Sequence, residues 1–149
     1  MSESCPSCGA ILPEKSTCQT VHEELLNFEL FNTIPHSIHF LHVTCFMVQH
    51  ERYSDEGLKW AQAILRANLD PHLTEQQHLQ SLRTAGKNSA SRSRTWSFKR
   101  ATDARPLPKI AWEVTIADVF RQMQSAQAYC EQVKRWAHAT EQQMVALLH

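Results

Sequence analysis

The sequence predicts an all-α fold, a single-domain bundle of five or six helices with an N-terminal zinc-knuckle loop. Three observations carry that expectation. Apolar residues recur at helical spacing through most of the chain, helix-opening residues stand ahead of those runs, and residues 1–17 combine Ser, Pro and Cys with no periodicity. A loop of that composition needs something other than a core to fix it, and its cysteines suggest a metal.

The elements follow in order. From Cys18 to Asn32, Val21, Leu25, Phe28 and Leu30 or Phe31 mark a first helix, with Glu23 and Glu24 placed where a helix dipole favours acids. Pro35 suits the first turn of a second helix, and nothing in 36–50 stops it. On that helix His39, Val43, Phe46 and His50 share one stripe expected to face the core. At 1.5 Å of rise per residue the two histidines stand about 16 Å apart, so they cannot bind one ion together.

Ser54, Asp55 and Glu56 open a third helix carrying Leu58, Trp60, Ala61, Ile64 and Leu65, and Asp70-Pro71 opens a fourth reaching about Ala85. Residues 86–113 read as a basic loop, with Thr95–Lys99 a short extended piece inside it. Thr115 and Asp118 have the spacing of a capping box and open the longest helical stretch, to about Leu148, with a stripe of Val119, Met123, Ala126, Tyr129, Val133, Trp136 and Ala137. The layout is therefore one domain over 1–149: knuckle 1–17, helices 18–85, basic loop 86–113, C-terminal helices 114–149.

At 149 residues the chain can bury roughly two-thirds of its unfolded surface, and 42% hydrophobic residues supply a core. No run of 18 apolar residues crosses a membrane, and cysteines and charges occupy the place of a signal peptide. A cytoplasmic location is expected. There, five cysteines are thiols and metal ligands rather than disulfides. Zero net charge hides an imbalance: residues 83–109 hold eight bases and one acid, residues 1–82 four bases and ten acids.

Cys5-Pro-Ser-Cys8-Gly9 is the strongest local motif, because two thiolates two residues apart can share one tetrahedral zinc while the glycine permits the tight turn. Cys18 is the natural third ligand; for the fourth, His22, His39 and His42 all lie within reach. The same pair also reads as a redox dithiol or as free thiols on a loop. Histidines 36, 39 and 42 drift by 60° per step of three, so two at most face a common ion, and the glutamate of His-Glu-x-x-His enzymes is missing. Cys45, Cys130, Trp60, Trp112 and Trp136 read as core. In the basic segment Arg92, Arg94, Lys99 and Arg100, interleaved with Trp96 and Phe98, offer phosphate contacts and base stacking, although a solvated loop offsetting the acidic half explains them more simply. No phosphate loop, nucleophile elbow or dinucleotide fingerprint occurs.

Cys-Pro-x-Cys-Gly-Ala at 5–10, the third cysteine at 18, His39-x-x-x-Val43-x-x-Phe46-x-x-Gln49-His50, Thr115-Ile-Ala-Asp118-Val119 and Trp136-Ala137 together resemble a bacterial family of small uncharacterised proteins. The resemblance implies no reaction. It singles out Cys5, Cys8, Cys18, His39 and His50, and makes His39 the preferred fourth zinc ligand. The family often has Tyr where this chain has Phe46, and Pro where it has Glu51. The first departure removes a phenol from any reactive site.

The expected function is a binding or regulatory module with structural zinc held by Cys5, Cys8, Cys18 and His39, and an unidentified protein as partner. No catalytic residue is assigned, and the reading leans away from an enzyme. His50, His42 and His22 remain for an additional site. The alternatives are a metal-dependent enzyme with an open zinc, and nucleic-acid binding through the basic loop.

Overall fold

The computed structural model describes residues 4–74, 76–77, 80 and 99–148. Among them are five α-helices and no strand: α1 (Cys18–Phe31), α2 (His36–Gln49), α3 (Asp55–Asn68), α4 (Ile116–Phe120) and α5 (Ala126–Gln143), followed by a 3-10 turn (Met144–Leu147). The all-α single domain anticipated from sequence is the fold observed.

Helix α1 begins where Thr17 and Thr20 form a reciprocal cap, the Thr17 side chain accepting from the Thr20 amide at 3.1 Å. Its buried stripe differs from the expected one. Leu30 and Phe31 are 78% and 84% exposed, while Glu29 takes the inward position next to Phe28. Glu23 and Glu24 fall in the second turn, beyond the first-turn reach of the dipole.

Four residues, 32–35, separate α1 from α2, and the two helices run antiparallel: Glu29 near the end of α1 meets His39 near the start of α2, and His22 meets Phe46 further along. Helix α2 is the central element, packed on α1, α3 and α5. The expected division into a core stripe and a solvent face does not hold for it. Ile38, Leu41, Cys45 and Val48 are buried on other faces, and His39, Val43 and His50 are only half-buried, as befits a helix that neighbours cover nearly all round. Gln49 locks its end, donating to the Val114 carbonyl at 2.8 Å and to Thr140 Oγ1 at 3.0 Å. After it Glu51 adopts φ of +57°, which the fixed ring of a proline forbids.

Ser54 caps α3 through the Gly57 amide. The capping box of Thr115 and Asp118 forms, but it opens a helix of only five residues. Instead of one long C-terminal helix, the chain turns at 121–124 and restarts where Ser125 caps α5. Tyr129, Val133, Trp136, Ala137 and Thr140 then line the face of α5 against α2. Trp136 is fully buried, whereas Trp60 and Trp112 are half-buried.

Most of the anticipated fourth helix and residues 86–98 of the basic loop, Arg92 and Arg94 included, lie outside the described residues. Where the chain resumes, Lys99 bridges Tyr53 in a single antiparallel contact. Residues 107–112 run beside the N-terminal knuckle, and Lys109 donates to the Pro6 carbonyl.

Candidate metal centres

The knuckle closes on itself. The Cys5 amide donates to the Ala10 carbonyl at 2.8 Å and the Gly9 amide to the Cys5 carbonyl at 2.9 Å, with Gly9 at φ of +80°. That backbone is open to glycine at no steric cost. It aims Cys5 and Cys8 inward and lets the Ala10 amide donate to Cys8 Sγ at 3.4 Å. Cys18 enters from the first position of α1, where the helix N-terminus favours negative charge.

The fourth member of this cluster is His50, not His39. Cys5, Cys8, Cys18 and His50 bring one ligand atom each to within 4.8 Å of all the others. Topology gives the reason: in an antiparallel hairpin the start of α1, with Cys18, faces the end of α2, and His39 sits at the opposite end. The His50 imidazole is also oriented. Its Nδ1–H donates to the Phe46 carbonyl at 2.7 Å, which leaves Nε2 as the nitrogen that faces the cluster, 3.8 Å from Cys5 Sγ.

The spacing suits zinc. Cys8 and Cys18 sulfurs are 3.6 Å apart, far beyond a disulfide bond and close to the roughly 3.8 Å that two sulfurs bound tetrahedrally at about 2.3 Å would span. Cys8 and Cys18 share a proton unequally: contact with Cys18 holds Cys8 well below the ordinary thiol range, and contact with Cys8 pushes Cys18 above it. Burial would push His50 down, but its contacts with Cys8 and the Phe46 carbonyl outweigh that and raise it. Contact with Cys18 thus favours the thiolate at Cys8, the form that binds metal.

A second cluster lies at the other end of the hairpin, and the sequence alone did not assemble it. Glu29, His39 and His42 also place ligand atoms within 4.8 Å of one another. His39 Nδ1 donates to Glu29 Oε1 and His42 Nδ1 to Glu29 Oε2, each at 2.8 Å, and the Tyr129 hydroxyl donates to Oε2 as well. His22 Nδ1 stands 2.8 Å from His42 Nε2. Burial alone would raise Glu29, yet His39, His42 and Tyr129 together hold it down at about 2. Glu29 in turn raises His39, while burial and the neighbouring His42 lower His22 to about 4. Burial and the Glu29 carboxylate push the Tyr129 phenol well above its usual range.

Glu29 and Tyr129 are the residues sequence reasoning missed. A signal existed for the first: Glu29 stands eight residues after Val21 and four after Leu25, on the buried stripe, where an acid calls for partners. Tyr129 carried no such signal, since its place on an apolar stripe accounts for it fully.

One aromatic ring separates the two clusters. Phe46 stacks on His22 with centroids 4.2 Å apart and leans on His50 at 4.3 Å.

A family model described as a family of unknown function, DUF5946, matches residues 3–145. The chain belongs to that family. No curated protein and no solved structure matches it. In this DUF5946 member both clusters lie within the matched residues. Of the other residues singled out in the sequence, Cys45 is sealed in the core, where burial pushes its thiol up to about 12. Arg100 is spoken for: it donates to the Tyr53 carbonyl, to Asp55 and to the Arg105 carbonyl, which leaves exposed Lys99 as the described base turned to solvent in that group. Among the described residues no helix is long and apolar enough to cross a membrane.

Proposed function

We propose that this protein is a zinc-stabilised helical module in which Cys5, Cys8, Cys18 and His50 hold one structural zinc ion. The observation that carries this reading is the convergence of four ligand atoms, three sulfurs and one oriented imidazole nitrogen, within 4.8 Å of each other. Four protein ligands close a tetrahedral site, and a closed site leaves no position for an attacking water. Zinc here fastens the knuckle to the start of α1 and the end of α2. An open catalytic zinc among these cysteines is disfavoured by the same fourth ligand.

The module functions as one domain over residues 1–149 and works through binding or regulation, with a protein partner. Reduced thiols in a metal site fit a bacterial cytoplasm. Nucleic-acid binding through the basic loop is the weaker reading, because Arg100 is committed to Asp55 and to backbone carbonyls.

The test is metal content with metal-edge absorption spectroscopy on the full chain and two variants. When the metal-free chain is given a single equivalent of zinc, three sulfurs and one nitrogen are expected around the ion, with the nitrogen lost in His50→Ala and kept in His39→Ala. A nitrogen lost in His39→Ala instead, or an oxygen in the fourth position of the unaltered protein, would overturn the reading.

A further inference from the structure

Beyond that zinc, and using none of its ligands, the geometry points to a second cation site: Glu29, His39 and His42 form a two-histidine, one-carboxylate centre for a divalent first-row transition metal, with coordination positions left open.

A buried carboxylate needs compensation, and one cationic or two neutral donors would supply it. Glu29, at 6% exposure, has far more around it: two imidazole Nδ1 atoms at 2.8 Å on separate oxygens, the Tyr129 hydroxyl, and a third imidazole behind the second. One oxygen and two imidazole nitrogens are the donors that suit zinc, iron, manganese or cobalt, and three protein ligands leave room for water or a small exogenous donor.

The supporting residues fit as well. A ligating imidazole almost always hands its other N–H to a partner, which fixes its orientation. His42 meets this requirement: with Nδ1 on a cation its proton moves to Nε2, and His22 Nδ1 is in place 2.8 Å away to accept it once the His22 proton occupies the opposite nitrogen. His22 is itself held flat against Phe46. Tyr129 stays on Glu29 Oε2 and leaves Oε1 to turn toward the ion. Access is provided by His39, whose side chain is 39% exposed while that of His42 is fully buried. An ion can therefore arrive from solvent at His39 and be held by the two ligands beneath.

The experiment uses the full chain loaded with one equivalent of zinc, which the sulfur-rich cluster takes first, and then titrated with cobalt(II) under calorimetry and visible absorption. One further equivalent of cobalt is expected, without the sulfur-to-cobalt charge-transfer band that thiolate ligation gives. His39→Ala, a change at a half-exposed position, should weaken this second equivalent by more than the roughly 10- to 100-fold that follows loss of a supporting residue, and Glu29→Gln should do the same. Tyr129→Phe should keep the stoichiometry. The inference is overturned if the zinc-loaded protein takes up no cobalt, or if folded His39→Ala binds it undiminished. Failure of the proposed zinc centre has a different signature: cobalt added to the metal-free chain would then give no charge-transfer band at its first equivalent.

Discussion

The two clusters at the ends of the α1–α2 hairpin are built from different ligands and by opposite means. The cysteine cluster takes two of its four members from a knuckle of ten or so residues whose backbone bonds are few, held to the helices by the Cys8–Cys18 and Cys5–His50 contacts and by the burial of Ala10 and Leu12. The Glu29 cluster is carried entirely on α1, α2 and α5, and its members are hydrogen-bonded to one another without an ion. The first is an assembly that a metal must complete. The second is an assembly the fold has already completed, so that metal would exchange for protons at fixed positions. Stability and metal binding should therefore be coupled tightly at one end and loosely at the other.

The largest effect should come from breaking the first. Structural zinc in small domains binds with on the order of 10 kcal/mol or more, comparable with the whole stability of a domain. Cys8→Ser, or a chelator, should release residues 4–17 and much of α1, with a large fall in Tm. Hydrogen exchange should then show the knuckle and α1 unprotected while α5 keeps slower exchange. Equal Tm with and without chelator would mean that no ion stabilises the knuckle.

A smaller effect is expected at the other end. Glu29→Ala removes the acceptor shared by His39, His42 and Tyr129 and leaves buried donors unpaired, a loss of about 3 kcal/mol or somewhat more. Denaturant unfolding of the zinc-loaded variant checks this, and its thiolate-bound metal should remain at the unaltered level. If Glu29→Ala emptied the cysteine cluster too, the separation of the two ends would be wrong.

The contrast also explains what could be read in advance. Cys5, Cys8 and Cys18 are legible because C-x-x-C carries its geometry in local spacing. The helices were legible from periodicity and caps, Thr115 with Asp118 among them, although nothing in the residues before Ser125 announced the break that separates α4 from α5. The fourth ligand required tertiary pairing. His39 was preferred by resemblance, whereas a turn of four residues makes α1 and α2 antiparallel neighbours, and antiparallel pairing sets Cys18 beside His50 and Glu29 beside His39. Glu29 was hidden because Leu30 and Phe31 offered two apolar residues for one stripe, and the burial of a whole central helix decided against both. Tyr129 could not be read at all without the distance across the bundle.

The smallest expected effect tests whether the two ends communicate. Phe46 is the wall between them, with His22 on one side and His50 on the other, and its carbonyl fixes the His50 tautomer through the backbone. Phe46→Leu keeps that carbonyl and most of the volume but removes the ring faces. Such a swap costs about 1 kcal/mol. Zinc stoichiometry should be unchanged, since neither the ligands nor the His50 hydrogen bond depends on the side chain. Energetic coupling should change, however. Groups that share a packed neighbour are non-additive, so His22→Ala and zinc binding should show a measurable coupling, read as a change in zinc affinity, when Phe46 is present, and a smaller one in the Phe46→Leu background. Equal coupling in both backgrounds would assign communication to the helix backbone rather than to the stacked rings; no coupling in either would make the two centres independent.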